Sequence, residues 1–222
     1  MFSRTTRVIG EENLTKIKNS NIAVLGVGGV GGYVVEMLVR LGVEKLTLVD
    51  FDKVDLSNFN RQLIATNETV NMLKVEAFKN RILKINKTCL VTVKPEKISS
   101  ENISKILNEK YDYIIDAIDD LKAKVEIAKF CQKNNLKLIS SMGTGSRYKM
   151  PNFEVADISK TSYDKLAKKL RKMLKDEGVE KLTVVYTKEP IEPTTNLGSI
   201  VYYPLMCAGV ITSFVTNEII KN

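Results

Sequence analysis

No histidine occurs in the 222 residues, which excludes a His-dependent catalytic triad and a His-rich metal site. Acid–base work must come from Asp, Glu, Lys, Tyr, Cys or the substrate itself. Cysteine is scarce. Cys89, Cys131 and Cys207 lie far apart and form no CxxC pair, so a local zinc ribbon is excluded. A sparse, odd number of thiols suits a reducing compartment, and a cytoplasmic location is expected. The N-terminal stretch MFSRTTRVIGEENL has no apolar core, so no signal peptide is expected. The longest apolar stretch, IVYYPLMCAGVITSFV at 200–215, falls short of the roughly 20 residues that cross a bilayer. It reads as a buried strand running into a buried helix from about 205 to 220, with no membrane association.

The composition that remains, 44% apolar and 27% charged, provides for one α/β domain with a full core. The net charge of +8 suits an anionic partner or simple solubility; charge alone does not separate the two. Short, β-branched, largely continuous apolar runs at 22–25, 45–49, 90–94, 113–116 and 137–140 read as strands buried on both faces. Helical patterns lie between them at 30–41, 70–85, 100–108 and 121–134. In the second of these, Val70, Leu73, Ala77, Phe78, Ile82 and Ile85 recur at three- and four-residue steps. The alternation predicts a doubly wound, mostly parallel, Rossmann-like sheet. After residue 142 a C-terminal extension of strands and helices is expected to pack on the same domain. It holds a loop and strand, an amphipathic helix in YDKLAKKLRKMLKDEG, a Pro/Thr-rich loop in KEPIEPTTNLGS, and the closing strand and helix.

Gly26, Gly28 and Gly31 form GxGxxG between the first strand and the first helix of this alternation, with Gly29 inside the motif. Such a loop gives a tight turn, close phosphate approach and close helix–strand packing, and the helix N-terminus adds N–H donors. Asp50 ends the second strand, where an acid binds ribose hydroxyls. The pattern points to a nucleotide with a ribose, and NAD is its default occupant. The next stretch argues for a triphosphate tail instead. Asp50 and Asp52 flank Phe51, Asn58 and Arg61 follow in a polar loop, and Lys74 sits in the first turn or two of the next helix. A dinucleotide's two bridging phosphates need no such set.

The run GVGGVGG … LVDFDKVDLSNFNRQ … MLKVEAFKNRILKIN … DYIIDAIDD resembles the superfamily of ThiF, MoeB and the ubiquitin-activating enzymes, which adenylate a carboxylate with ATP. The resemblance implies a nucleotide-adenylating domain at 1–142 with an N-terminal arm. The glycine loop would contact the nucleotide and Asp50 the ribose. Asn58, Arg61 and Lys74 would contact the phosphates, and Asp119 would hold Mg2+. It also implies a homodimer in which Arg4 of MFSRTTR reaches the partner's triphosphate.

No CxxC pairs are present, unlike in the sulfur-carrier activators, and no cysteine falls in a crossover loop. The second half, with ADISKT, the basic helix and VVYTKEP, resembles the tRNA threonylcarbamoyladenosine dehydratases. These enzymes use ATP to cyclise the threonylcarbamoyl group of a tRNA adenosine. Some members carry a second-half cysteine linked to a sulfur-relay partner; Cys207 is not a clear equivalent. Lys165, Lys168, Lys169 and Lys172 can line one side of the basic helix and would bind tRNA, at a place separate from the nucleotide motifs. A solvated surface is the plainer reading of such a charge run. Activation of the C-terminal glycine of a ubiquitin-like sulfur carrier, and an NAD-dependent oxidoreductase or sensor, remain as alternatives.

Overall fold

The computed structural model describes residues 1–192 and 198–221; part of the Pro/Thr-rich loop, at 193–197, lies outside the described residues. Seven strands form one sheet in the order β3-β2-β1-β4-β5-β7-β6. They are β1 (Asn21–Leu25), β2 (Lys45–Val49), β3 (Leu90–Lys94), β4 (Tyr113–Asp116), β5 (Leu138–Ser141), β6 (Phe153–Asp157) and β7 (Thr183–Thr187). All neighbours pair in parallel except β6 with β7. The eight α-helices among the described residues are α1 (Ser3–Ile9), α2 (Glu11–Asn19), α3 (Gly29–Leu41), α4 (Lys74–Ile85), α5 (Ile103–Ile106), α6 (Leu121–Lys133), α7 (Lys165–Asp176) and α8 (Tyr202–Lys221). The doubly wound α/β architecture is therefore present, and its sheet runs unbroken from the first half of the chain into the second.

Period-two alternation splits the strands between two cores. Ile22 and Val24 of β1 face a cluster with Val34 and Leu38 of α3, Phe78 of α4 and Ile211 of α8, whereas Ala23 and Leu25 face one with Ile106 of α5 and Ile127 of α6. A third cluster joins Val125 of α6, Leu170 and Leu174 of α7, and Val184 of β7. β3 departs from the expected double burial: it is an edge strand and Leu90 is exposed.

Three expected boundaries differ. The helix expected from 70 begins at Lys74, because Asn71 takes φ +68° and Leu73 bridges to Lys53. The helix expected over 100–108 is the single turn α5. No strand forms at 200–203; α8 starts at Tyr202, with Pro204 in its first turn, where a missing N–H costs no helical bond. α8 is long and apolar enough to cross a membrane by length and composition, yet it packs on α3 and on β5, β6 and β7. Its buried residues Tyr203, Cys207, Ala208, Ile211 and Val215 recur at helical spacing, the pattern of a core helix.

Candidate active site

The strand order reverses between β1 and β4, and loops leaving parallel strands there diverge into a crevice. A cavity of about 780 Å3 opens at this point and is lined by the glycine loop, Asp50, Lys74 and Ala117. Gly26 has φ +80°, and a Cβ on it would stand 2.8 Å from the carbonyl oxygen of Ala117. A Cβ on Gly31 would stand 1.9 Å from the carbonyl oxygen of Gly26. These two positions admit only glycine: one makes the turn, the other lets α3 approach the strand. Gly28 and Gly29 line the cavity itself.

Asp50 ties the loop to β2. Its oxygens accept the N–H of Val27 at 2.8 Å and of Asp52 at 2.9 Å, leaving lone pairs for hydroxyl donors. Burial pushes its carboxyl above the ordinary 3.8, against the opposing pull of Lys74. Lys74 is 5% exposed and places Nζ 2.8 Å from the half-exposed Asp52 carboxylate. Its backbone N–H donates to Asp52 O, so the turn at 71–73 aims the first residue of α4 at the cavity. Asn58 is partly spent on structure: Asp55 and Asn58 close a capping box on the short turn Leu56–Asn58. Arg61 Nη1 donates to Ser57 O at 2.8 Å and Asn60 Oδ1 at 2.9 Å. Both Asn58 and Arg61 line the cavity.

Asp119 lies exposed in the loop after β4, lines the cavity and has no ion-pair partner among the described residues. No group of three Asp, Glu, Cys or His residues forms a metal cage among the described residues. Arg4 stands on α1, a helix with no buried residue, and does not line the cavity of its own chain.

The basic helix is not separate from this place. Lys165 and Lys169 line the same cavity as the glycine loop, whereas Lys168 and Lys172, also exposed on α7, do not. The expectation of two distinct sites is corrected for the first pair. The cause is the sheet: β7 sits beside β5, and α7, which precedes it, caps the far side of the crevice.

Three polar residues carry the cavity without having been assigned from sequence. Lys124, 1% exposed, donates to Asp116 Oδ2, Ser140 Oγ and Ser141 O, each at 2.9 Å. A signal existed: Lys124 falls on the apolar stripe of α6 with Ile127, Ala128 and Cys131. Gln62, within the quoted SNFNRQ motif, is buried at the cavity and its Oε1 lacks a partner among the described residues. Arg147 is 3% exposed and pairs with Asp164; an isolated arginine in a loop gave no sign of this.

The chain matches the ThiF family over residues 2–221. It belongs to the ThiF family. Within that family, it is 43% identical over 189 residues to the tRNA threonylcarbamoyladenosine dehydratase of Bacillus subtilis (strain 168), covering 85% of this chain and 74% of that protein. To the protein of the same name from Escherichia coli (strain K12) it is 38% identical over 181 residues, covering 81% and 68%. The solved structure of E. coli tRNA N6-threonylcarbamoyladenosine dehydratase, TcdA, in complex with ATP superimposes with a TM-score of 0.94 at 31% identity, over 99% of this chain and 93% of that one. The ThiF-family fold is thus shared over nearly the whole chain, C-terminal extension included.

All three cysteines are buried in this ThiF-family chain. Burial pushes Cys89 up to about 11 and Cys131 and Cys207 up to about 12. None offers a thiolate to the cavity near neutral pH.

Proposed function

We propose that the protein is an ATP-dependent tRNA threonylcarbamoyladenosine dehydratase, with ATP bound by the glycine loop, Asp50, Asp52, Asn58, Arg61 and Lys74. The observation that carries this reading is one cavity joining the nucleotide motifs to the cationic start of α7, in a chain that aligns from end to end with an enzyme solved with ATP and carrying that name. The threonyl carboxylate attacks the α-phosphorus of ATP. A C–O–P link forms, the α–β phosphate bond breaks and pyrophosphate leaves. A nucleophile within the same threonylcarbamoyl group then attacks the activated carbonyl carbon and expels AMP. The net loss is one water, whose oxygen departs with AMP. The second step is intramolecular, so positioning lowers its barrier and no protein nucleophile is needed. That accords with a chain free of histidine whose thiols are all buried.

Arg61 and Lys74 act as fixed positive charges on the phosphates. Mg2+ fits Asp119. A single unpaired carboxylate at the cavity suffices for an ion that takes its other oxygens from phosphates and water, and the ion would supply charge neutralisation there. We assign the lysine face of α7 to tRNA, Arg4 to the partner's triphosphate in a homodimer, and the protein to the cytoplasm. On this division residues 1–142 hold the nucleotide and 143–222 supply the substrate's wall. Activation of a sulfur carrier has less support. An adenylyltransferase and sulfurtransferase relative aligns with only 60% of this chain, and the burial of Cys207 lends a sulfur relay no support.

The test is mass spectrometry of nucleosides from tRNA incubated with protein and ATP. Threonylcarbamoyladenosine should lose one water, with AMP and pyrophosphate formed. An unchanged nucleoside, with pyrophosphate exchange seen only on adding a ubiquitin-like carrier, would move the assignment to the second reading.

A further inference from the structure

The cavity has two walls of different origin. One is the nucleotide wall already described. The other consists of the loop after β5, from Ser141 to Gly145, with Arg147 and the first turn of α7. This second wall is fixed by a buried ion pair that the adenylation chemistry does not use. Arg147 Nε donates to Glu189 O at 2.8 Å, Nη1 to Gly143 O at 2.9 Å and Gly145 O at 3.3 Å, and Nη2 to Asp164 Oδ2 at 3.4 Å. The other oxygen of Asp164 accepts the N–H of Ala167 at 2.8 Å and caps α7. Tyr163, just before the cap, is held at φ +61°, a conformation a bulky residue adopts only when its surroundings impose it. A buried pair contributes little net stability compared with apolar packing. What this one does is set three segments, the 143–147 loop, the chain after β7 and the start of α7, in one fixed relation.

The fixed relation presents Lys165 and Lys169. They are one helical turn apart, both exposed, both lining the cavity and both without an acidic partner among the described residues. Lys168 and Lys172 share the helix face but not the cavity. If the acceptor is a nucleoside within an RNA strand, its acyl group must reach the α-phosphate of ATP to within roughly 3–3.5 Å. Its flanking phosphodiesters then come to the mouth of a cavity that already holds a triphosphate. Cations are needed there on the side away from the nucleotide.

We propose that Lys165 and Lys169, positioned by the buried Arg147–Asp164 pair, form a phosphodiester subsite for the RNA backbone beside the nucleoside being adenylated. The outer pair, Lys168 and Lys172, meets more distant phosphates. This rests on the RNA-modifying reading of the cavity, and the experiment separates the two.

The probe is a short RNA stem-loop carrying threonylcarbamoyladenosine in its loop, compared with full-length tRNA. Binding is titrated at several salt concentrations for the wild type, K165Q/K169Q, K168Q/K172Q and D164S. Serine at 164 keeps a capping oxygen for α7 but removes the partner of Arg147. ATP affinity is measured alongside, and variants are compared only where thermal melting shows a folded protein. K165Q/K169Q should weaken stem-loop binding at least tenfold and reduce the log–log salt slope by about 1.4, at about 0.7 for each single-strand phosphate contact. ATP affinity should stay within twofold. K168Q/K172Q should act mainly on full-length tRNA, and D164S should reproduce the stem-loop defect in part. Equal effects of the two lysine pairs on the stem-loop, or lost ATP affinity in K165Q/K169Q, would overturn the subsite. A wild type that binds the stem-loop but leaves its nucleoside unchanged with ATP would instead overturn the functional reading, while the binding series still decides the subsite.

Discussion

Lys74 and Asp119 both line the cavity, under different constraints. Lys74 is buried and paired at 2.8 Å to Asp52, whose side chain is half exposed. Asp119 is exposed and unpaired among the described residues. If Lys74 faces the phosphates as proposed, Lys74→Met removes a charge from them, and a cut of about 10²–10³ in adenylation is expected, the scale of losing one preorganised electrostatic contact. Asp52 can rehydrate, so the loss in stability should stay near 1 kcal/mol or less. Asp119→Asn should abolish Mg2+-dependent pyrophosphate exchange with the melting temperature unchanged. Full exchange activity in either variant would dismiss the site assignment. The thiols make a second residue-scale prediction. Folded Cys89 ionises near 11 and Cys131 and Cys207 near 12, against an ordinary 9.0. Between these limits the native state binds more protons than the unfolded one, so stability is full below about pH 9 and falls as pH rises above it. The Cys89, Cys131 and Cys207 triple replacement by Ala or Ser should flatten that fall in urea titrations and keep ring closure. Lost closure with adenylation intact would reveal a thioester route.

At the scale of elements, one ammonium joins three of them. Lys124 of α6 donates to Asp116 at the end of β4 and to Ser140 and Ser141 of β5, and Ser140 Oγ donates to the same Asp116 oxygen at 2.7 Å. The knot holds the C-terminal ends of two strands from which cavity loops depart. Lys124→Met leaves Asp116 buried without its cation, and a loss of about 3–5 kcal/mol is expected, read as the shift in urea midpoint at constant m. Adding Asp116→Leu should recover part of that loss, because the uncompensated charge goes with it. If Lys124→Met alone changes stability by less than 1 kcal/mol, the knot is not a structural one. The elements themselves were legible to differing degrees. β1, β2, β3 and β4 sit where continuous apolar runs and flanking glycine or polar residues placed them. The helix at 100–108 was not realised beyond one turn: its buried apolar residues, Ile103, Ile106 and Leu107, all lie within 103–107, and a single turn so held does not propagate on its own.

At the scale of the molecule, Arg4 is an expected nucleotide contact that its own chain does not bring to the cavity. α1 has no fully buried residue, with Ile9 packing only in part against the core, and Arg4 lies outside the cavity. If Arg4 serves the partner's triphosphate across a two-fold axis, Arg4→Ala and Lys74→Ala should each be inactive alone but complement when co-expressed. In a mixed dimer one site carries both defects and the other neither, so random pairing restores about a quarter of wild-type sites. Activity no higher than either parent would dismiss the trans assignment. Size-exclusion chromatography of the wild type and the two variants checks that the proposed dimer forms and persists.

The amino-acid sequence by itself determined the nucleotide half. Glycine at 26 and 31, an acid at 50 and a lysine near the start of a helix are local demands of turn geometry and phosphate charge, and the α/β alternation follows from hydrophobic period within short windows. Gln62 and Lys124 were half visible, one inside a quoted motif and one as a charge on an apolar stripe. Only the tertiary structure decided that Lys165 and Lys169 share the cavity with Gly26, or that Arg147 and Asp164 are a buried pair. Those facts depend on β7 adding to the sheet beside β5 while β6 takes the edge. Strand order and the burial of a charge are set by partners far away in sequence, and no local pattern of residues encodes them.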